Sequence, residues 1–335
     1  MQQTTITYGS DHAGLICAYF FPGDGSAPVA LDAEAAALHC RPAADGFTWL
    51  HFNLANVAAE RWMRSHLELP EAFFESQREG MRSTRVEQEG DCLLAIVNDV
   101  AFDFSFDPSN VATLWLAVQP GLAVSARLKP LRSIDRLRSA VRSGEILRSP
   151  SDLLAHLLRD QAEVMVQIVR DATARTDTAE DELLARHRGN RTALAAMRRV
   201  LVRLQRLLAP EPAALFRLLN RPPDWVSSED VQELREAAEE FSTVIADTAA
   251  LVERVKVLQE ELAAHVNEQS NRTLFVLTVV TVVALPINLI AGLLGMNVGG
   301  VPLAENHHGF WLVLVFVVSL TGLGGVWAMR RLRED

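Results

Sequence analysis

Two long uncharged runs dominate the C-terminal end of the chain. From Thr273 to Leu294 every side chain is uncharged and most are aliphatic. Phe310 to Met329 repeats the pattern, and only a short loop lies between. Each run holds about 20 residues, which at ~1.5 Å per residue covers the ~30 Å hydrocarbon core of a bilayer. A buried soluble helix can imitate one such run, but two in close succession are hard to bury in a soluble fold. The pattern therefore predicts two membrane spans, about 273–295 and 310–329, with an outer loop at 296–309.

Upstream the periodicity changes. Phe47–Phe52, Cys92–Val100 and Ala112–Val118 read as strands, Leu122–Arg127 as a shorter one, and Ala59–Leu67 as a helix. Breaks such as Pro22-Gly23-Asp24-Gly25 and Asp107-Pro108 punctuate this region. Residues 1–148 are thus expected to form an α/β domain with a mixed sheet. From Ser151 the pattern becomes helical, with Ser151-Asp152 as an N-cap and apolar positions at Leu154, Leu157, Leu158, Met165 and Ile168. A second helix is predicted from about Thr178 to Leu208, ending at Ala209-Pro210. A third follows Arg221-Pro222-Pro223, with Ser227 or Ser228 as its cap and acids in its first turn, which suits the positive end of the helix dipole. No Pro or Gly interrupts this helix before Pro286, so it is expected to run as one rod of roughly 100 Å from Glu229 to Leu294. Residues 149–270 form a helical region with a stalk at about 229–270, and 271–335 form the membrane part. The fold class expected is an α+β multi-domain membrane protein: a cytoplasmic α/β domain, then a long stalk helix that continues into the first of two spans.

Charge sets the orientation. Arg330, Arg331 and Arg333 follow the second span and Arg272 precedes the first, whereas the loop carries only Glu305. By the positive-inside rule both termini are cytoplasmic and the loop faces outward. Met1–Gly14 lacks a basic region and an apolar core, so it does not read as a secretory signal. The three cysteines, Cys17, Cys40 and Cys92, form no CxxC pair, which argues against a disulfide framework or a structural zinc site. A net charge of −10 argues against general nucleic-acid binding. No GxGxxG, P-loop, HExxH or Ser/His/Asp pattern is present, so an enzyme is not expected and no cofactor is implied. The stretch Arg186–Arg206 holds seven arginines and no acid, and Glu229–Glu261 holds ten acids against three bases. The arginines read as a solvated or ion-paired face, and the two segments as electrostatic neighbours within one subunit or between subunits.

One stripe of the long helix collects its polar side chains. At heptad spacing Asn271, Thr278, Leu285 and Gly292 alternate with Leu274, Thr281, Asn288 and Gly295. A sorted polar stripe in lipid is costly unless it faces protein or water. It either bonds to neighbouring helices or lines an axial channel. In the same register lie Asn267, Glu260 and Glu253, while Phe241, Ile245, Thr248, Val252, Val255, Leu262 and Val266 form a mostly separate apolar stripe. Glu253 and Glu260 read equally as an inner cation-holding pair or as ordinary stalk surface. Pro286 leaves the carbonyl of Val282 without its helical partner and reads as a kink. Asn297, in Gly295-Met296-Asn297, opens the outer loop. Glu305, His307 and His308 follow there as candidate cation-concentrating groups or as plain solvated residues.

Asn271-Arg272-Thr273-Leu274-Phe275-Val276-Leu277-Thr278, then Leu285-Pro286, then Ile290 to Asn297, closely resembles the CorA superfamily of divalent-cation transporters. Val298-Gly299-Gly300-Val301-Pro302 is similar to its ZntB zinc-transporter branch. The resemblance implies a funnel-shaped homopentamer in the bacterial inner membrane, in which the long helices surround one pore. It implies that Gly295, Met296 and Asn297 form the outer entrance and that Asn271, Leu274, Thr278, Leu285, Asn288 and Gly292 line the conduit. Five Asn297 amides would offer oxygens to the waters of a hydrated divalent ion. Zinc prefers nitrogen and sulfur once dehydrated, and this face holds no Cys, His, Asp or Glu within the membrane. Passage of a largely hydrated ion, zinc preferred and in the uptake direction, is the expectation. The partners implied are copies of the chain, the lipid bilayer and the transported cation, with no nucleic acid.

Overall fold

Seven strands form one mixed sheet in the order β2-β1-β3-β7-β6-β5-β4. The computed structural model describes residues 9–40, 46–80, 84–101, 110–186, 191–296 and 307–334. The strands are β1 (Leu15–Pro22), β2 (Val29–Leu31), β3 (Gly46–Asn53), β4 (Arg85–Glu89), β5 (Cys92–Val100), β6 (Val111–Gln119) and β7 (Leu122–Arg127). Only β3 and β7 pair in parallel, Thr48 opposite Leu122 through Asn53 opposite Arg127; the other pairs are antiparallel. Pro120-Gly121 closes the β6–β7 hairpin, with Gly121 at φ 74°, a left-handed conformation that only glycine adopts freely.

Helices cover both faces. They are α1 (Ala33–His39), α2 (Val57–His66), α3 (Glu71–Arg78), α4 (Arg132–Arg142), α5 (Pro150–Arg186), α6 (Arg191–Leu208), α7 (Pro210–Leu219), α8 (Ser228–Leu294) and α9 (Gly309–Glu334). The period-2 alternation of β6 divides the core. Leu114, Leu116 and Val118 pack with Ile134 and Leu137 of α4 and Leu154 and Leu158 of α5. Trp115 and Ala117 face the other way, toward Met63 of α2 and Phe73 and Phe74 of α3. A third core joins Val100 to Met165 and Ile168 of α5, Leu204 and Leu208 of α6, and Phe241 and Val244 of α8.

The four strands predicted from pattern are present, and the helix predicted at Ala59–Leu67 is present as α2, Val57–His66. Three helix boundaries differ from expectation. α5 continues to Arg186 instead of yielding to a new helix near Thr178, because nothing between Ser151 and Arg186 breaks it. The next helix starts at Arg191, after the breaking pair Gly189-Asn190 in the sequence. Ala209-Pro210 does not merely end a helix: Pro210 is the first residue of α7, where a missing N–H costs nothing.

The chain divides into two compact units, Met1–Gln259 and Glu260–Asp335. α8 begins in the first and ends in the second as one helix of 67 residues with Pro286 inside it. The apolar stripe read for its early part is buried at Phe241, Thr248, Val252, Val255 and Leu262, while Val266 is exposed.

Candidate functional site

Within the second unit, the sequence of α8 presents two opposed faces. Val279, Val283, Pro286, Ile287, Ile290 and Leu294 are half-buried. They share a face with the α9 contact, since a Cβ on Gly324 would lie 3.3 Å from Cγ2 of Val283. On α9 the more buried positions are Gly309, Val313, Val317 and Gly324, at helical spacing. Asn271, Leu274, Thr278, Thr281, Leu285, Asn288, Gly292 and Gly295 are all exposed, Leu285 at 68%. At ~100° per residue the centres of these two stripes lie about 180° apart. The side of α8 carrying the polar residues is the side that α9 leaves uncovered.

The hydroxyls on that face are satisfied locally. Thr278 donates to the Leu274 carbonyl and Thr281 to that of Leu277, each at 2.8 Å. Asn288 is exposed on the same face. A Cβ on Gly292 would meet nothing within 4 Å, so this position is open in a single chain. The helix closes with the Gly295 N–H donating to Ala291 at 3.0 Å and the Met296 N–H to Leu293 at 3.4 Å. Met296 is exposed. Asn297 and Glu305 lie outside the described residues. His307 and His308 are exposed, with ring centroids 5.6 Å apart. Glu253 is exposed and accepts from Lys256 Nζ at 3.2 Å, and Glu260 is exposed. Among the described residues no three His, Cys, Asp or Glu side chains gather in a way that could hold a metal ion.

α8 is long and apolar enough to cross a membrane, and none of its most apolar 18-residue window is buried; the apolar part of α9 described, Gly309–Gly324, is shorter. Phe310 and Trp311 open α9, both exposed.

Sequence reading missed a buried acidic centre in the first unit. Asp99 on β5 accepts from the Val100 N–H at 2.7 Å through Oδ1, and from the Ser133 N–H at 2.9 Å and hydroxyl at 2.6 Å through Oδ2. It thereby caps α4, whose own N-cap, Leu131, has no side-chain acceptor. Burial pushes the Asp99 carboxyl up to about 6. Glu211 on α7 is fully buried, accepts from the Asn98 N–H at 2.5 Å, and is held well above the usual carboxylate range by burial. Burial also raises the thiols of Cys17, to about 11, and Cys92, to about 12, which disfavours the thiolate a metal would need.

A mixed sheet sheathed in helices, followed by one very long helix with an apolar end and a second apolar helix against it, defines a membrane-associated protein with a large polar domain. The chain belongs to the CorA-like Mg2+ transporter protein family, whose profile matches residues 44–331. It is 28% identical over 334 residues to the divalent cation transporter CmaX of Pseudomonas aeruginosa, covering 96% of this chain and 97% of that protein. It is 24% identical over 283 residues to the zinc transport protein ZntB of Pectobacterium atrosepticum, covering 84% and 86%. The solved structure of full-length CmaX superposes with a TM-score of 0.82 at 25% identity, covering 97% of this chain and 99% of that one. The complete CorA magnesium transporter of Methanocaldococcus jannaschii shares the fold at a TM-score of 0.70 and 21% identity, covering 94% and 97%. These relatives are ion transporters and not enzymes, in agreement with the missing catalytic patterns.

Proposed function

We propose that this chain is a divalent-cation transporter of the inner membrane, with zinc preferred and uptake as its direction. The reading has α8 and α9 as the two spans, both termini cytoplasmic, and five copies placing the uncovered face of α8 around one axis. Asn271, Leu274, Thr278, Thr281, Leu285, Asn288 and Gly292 then line the path, and Gly295, Met296 and Asn297 form its outer mouth. The ion keeps most of its water shell, because this face offers amide and hydroxyl oxygens and no Cys, His, Asp or Glu. His307, His308 and Glu305 concentrate cations outside, and Glu253 and Glu260 hold them inside.

The observation that carries the reading is the opposition of faces: α9 packs on the apolar side of α8 and leaves the polar stripe free. Zinc as cargo draws on the relatives named ZntB. A magnesium, cobalt or nickel transporter on the same scaffold is the second reading, favoured by the full-length match to CmaX, whose name specifies no one metal. Metal-by-metal uptake into proteoliposomes separates the two. Asn297→Ala is expected to abolish uptake while leaving the assembly intact. Unchanged flux in that variant, or no flux in the parent protein, would instead favour a membrane-anchored sensor without a pore.

A further inference from the structure

The arginines of α6 border a cleft that the proposed pore does not use. It has a volume of about 1000 Å³ and lies in the first unit between α6, the start of β6 and the segment after β7, with Gln259 of α8 at its rim. Lys129, Arg198, Arg199, Arg203 and Arg206 line it, and among the described residues no carboxylate does. Within one chain these arginines do not pair with the acidic stalk: among the described residues none of the five cations makes an ion pair. Some arginines elsewhere are paired, Arg64 with Glu71, Arg136 with Asp160, Arg254 with Asp177. Arg198 reaches only the Gln259 carboxamide, at 3.5 Å, and its buried Nε has no partner. Trp115 also lines the cleft.

We propose that the cleft binds an oligophosphate anion of the di- or triphosphate class. The chain carries a net charge of −10, so this positive concentration is local and does not reflect a generally basic surface. Arg199, Arg203 and Arg206 stand at i, i+4 and i+7, on one face of α6, over a rise of ~10 Å. A lone phosphate cannot touch both ends of that row, whereas a phosphate chain can. Guanidinium groups grip phosphate oxygens in pairs. The volume is that of a small-molecule pocket. Because Arg198 also holds the Gln259 amide, occupancy exchanges a contact to α8 for one to the ligand.

The test is calorimetric titration of the full-length protein in detergent, in metal-free buffer, with inorganic triphosphate and with ATP separately. Saturable binding is expected, at least ~10-fold weaker in Arg199→Ala/Arg203→Ala and weakened by added salt. Arg203→Lys, which keeps the charge, is expected to stay within a few-fold of the parent. Equal affinity for the two probes assigns recognition to the phosphate chain alone; tighter ATP binding adds contacts to the nucleoside. No saturable binding of either probe, or unchanged affinity in the double variant, overturns the proposal. So does a change in oligomeric elution of the double variant when the parent binds neither probe, which would assign these arginines to a contact between copies.

Discussion

Asp99→Asn probes whether the buried carboxylate that caps α4 carries a stability cost at neutral pH. The folded-state carboxyl lies at about 6, against 3.8 for the ordinary group, because burial outweighs the bonds from Ser133 and Val100. A raised acid holds its proton more tightly in the folded than in the unfolded chain. Its contribution is therefore fully present below ~4 and is lost as pH rises through ~6. A shift of about 2 units corresponds to ~3 kcal/mol. Asparagine does not titrate, so this loss disappears in the variant. It carries a price at every pH: one carboxamide oxygen cannot serve both the Val100 and Ser133 N–H groups, and an unsatisfied buried donor costs ~1–3 kcal/mol. The variant is thus expected to be less stable than the parent near pH 4.5 and to match or exceed it near pH 7.5. Glu211 titrates with the same sign, and because the Asp99 charge is one of the causes that raise it, the variant also relieves part of the Glu211 shift, in the same direction. For a unit of this size ~3 kcal/mol corresponds to ~6–12 °C. Thermal scans of tryptophan fluorescence at fixed rate, taken every half pH unit on both proteins, read the difference directly. A difference that stays flat within ~1 kcal/mol across the range refutes the reasoning and means that the three hydrogen bonds fully offset burial.

Three further outcomes are expected. Asn288→Leu should lower metal uptake into proteoliposomes at least ~10-fold without altering oligomeric elution, and Asn288→Thr, whose hydroxyl can bond back to the helix, should keep most of it. Gly324→Leu should separate α8 from α9, because even a Cβ would lie 3.3 Å from Val283, and should lower the unfolding temperature in detergent; Gly322→Ala, which meets nothing within 4 Å, should leave it unchanged. Arg254→Ala breaks the exposed pairs with Asp177 and Glu180 on α5, and should cost less than ~1 kcal/mol in thermal scans, a loss that high salt removes.

What could be read in the sequence follows from what is periodic. β3, β5, β6 and β7 are dense in apolar and β-branched residues between turn signals, and each was legible. β1, Leu-Ile-Cys-Ala-Tyr-Phe-Phe-Pro, pairs with strands on both sides and packs on both faces, so it shows no alternation. β4, Arg-Val-Glu-Gln-Glu, is a polar edge strand that lacks a strand's composition and pairs only with β5. α4 carried a signal that was passed over, with Ile134, Leu137 and Val141 on one face. The acidic centre had none, since Asp99 meets Ser133 34 positions on and Glu211 bonds Asn98 113 positions back. Distances of that kind are products of topology and leave no local trace. The polar stripe of α8 was legible in full as a stripe, but which side α9 covers depends on where two helices touch.

That choice of side narrows the meaning of the stripe. Thr278 and Thr281 return their hydroxyl protons to carbonyls one turn back, so in hydrocarbon they ask little of their surroundings. Asn271 stands beside Arg272, at the polar end of the run, where water or headgroups can reach it. Asn288 lies 17 residues after Asn271, inside the apolar run. Its carboxamide brings two donors and an acceptor to a depth where each unsatisfied group costs several kcal/mol. α9 packs on the opposite side, through Gly309, Val313, Val317 and Gly324, and brings no polar partner there. On the proposed reading of α8 as a membrane span, that partner comes from another copy of the chain or from water held between copies, and an isolated chain would leave Asn288 facing hydrocarbon.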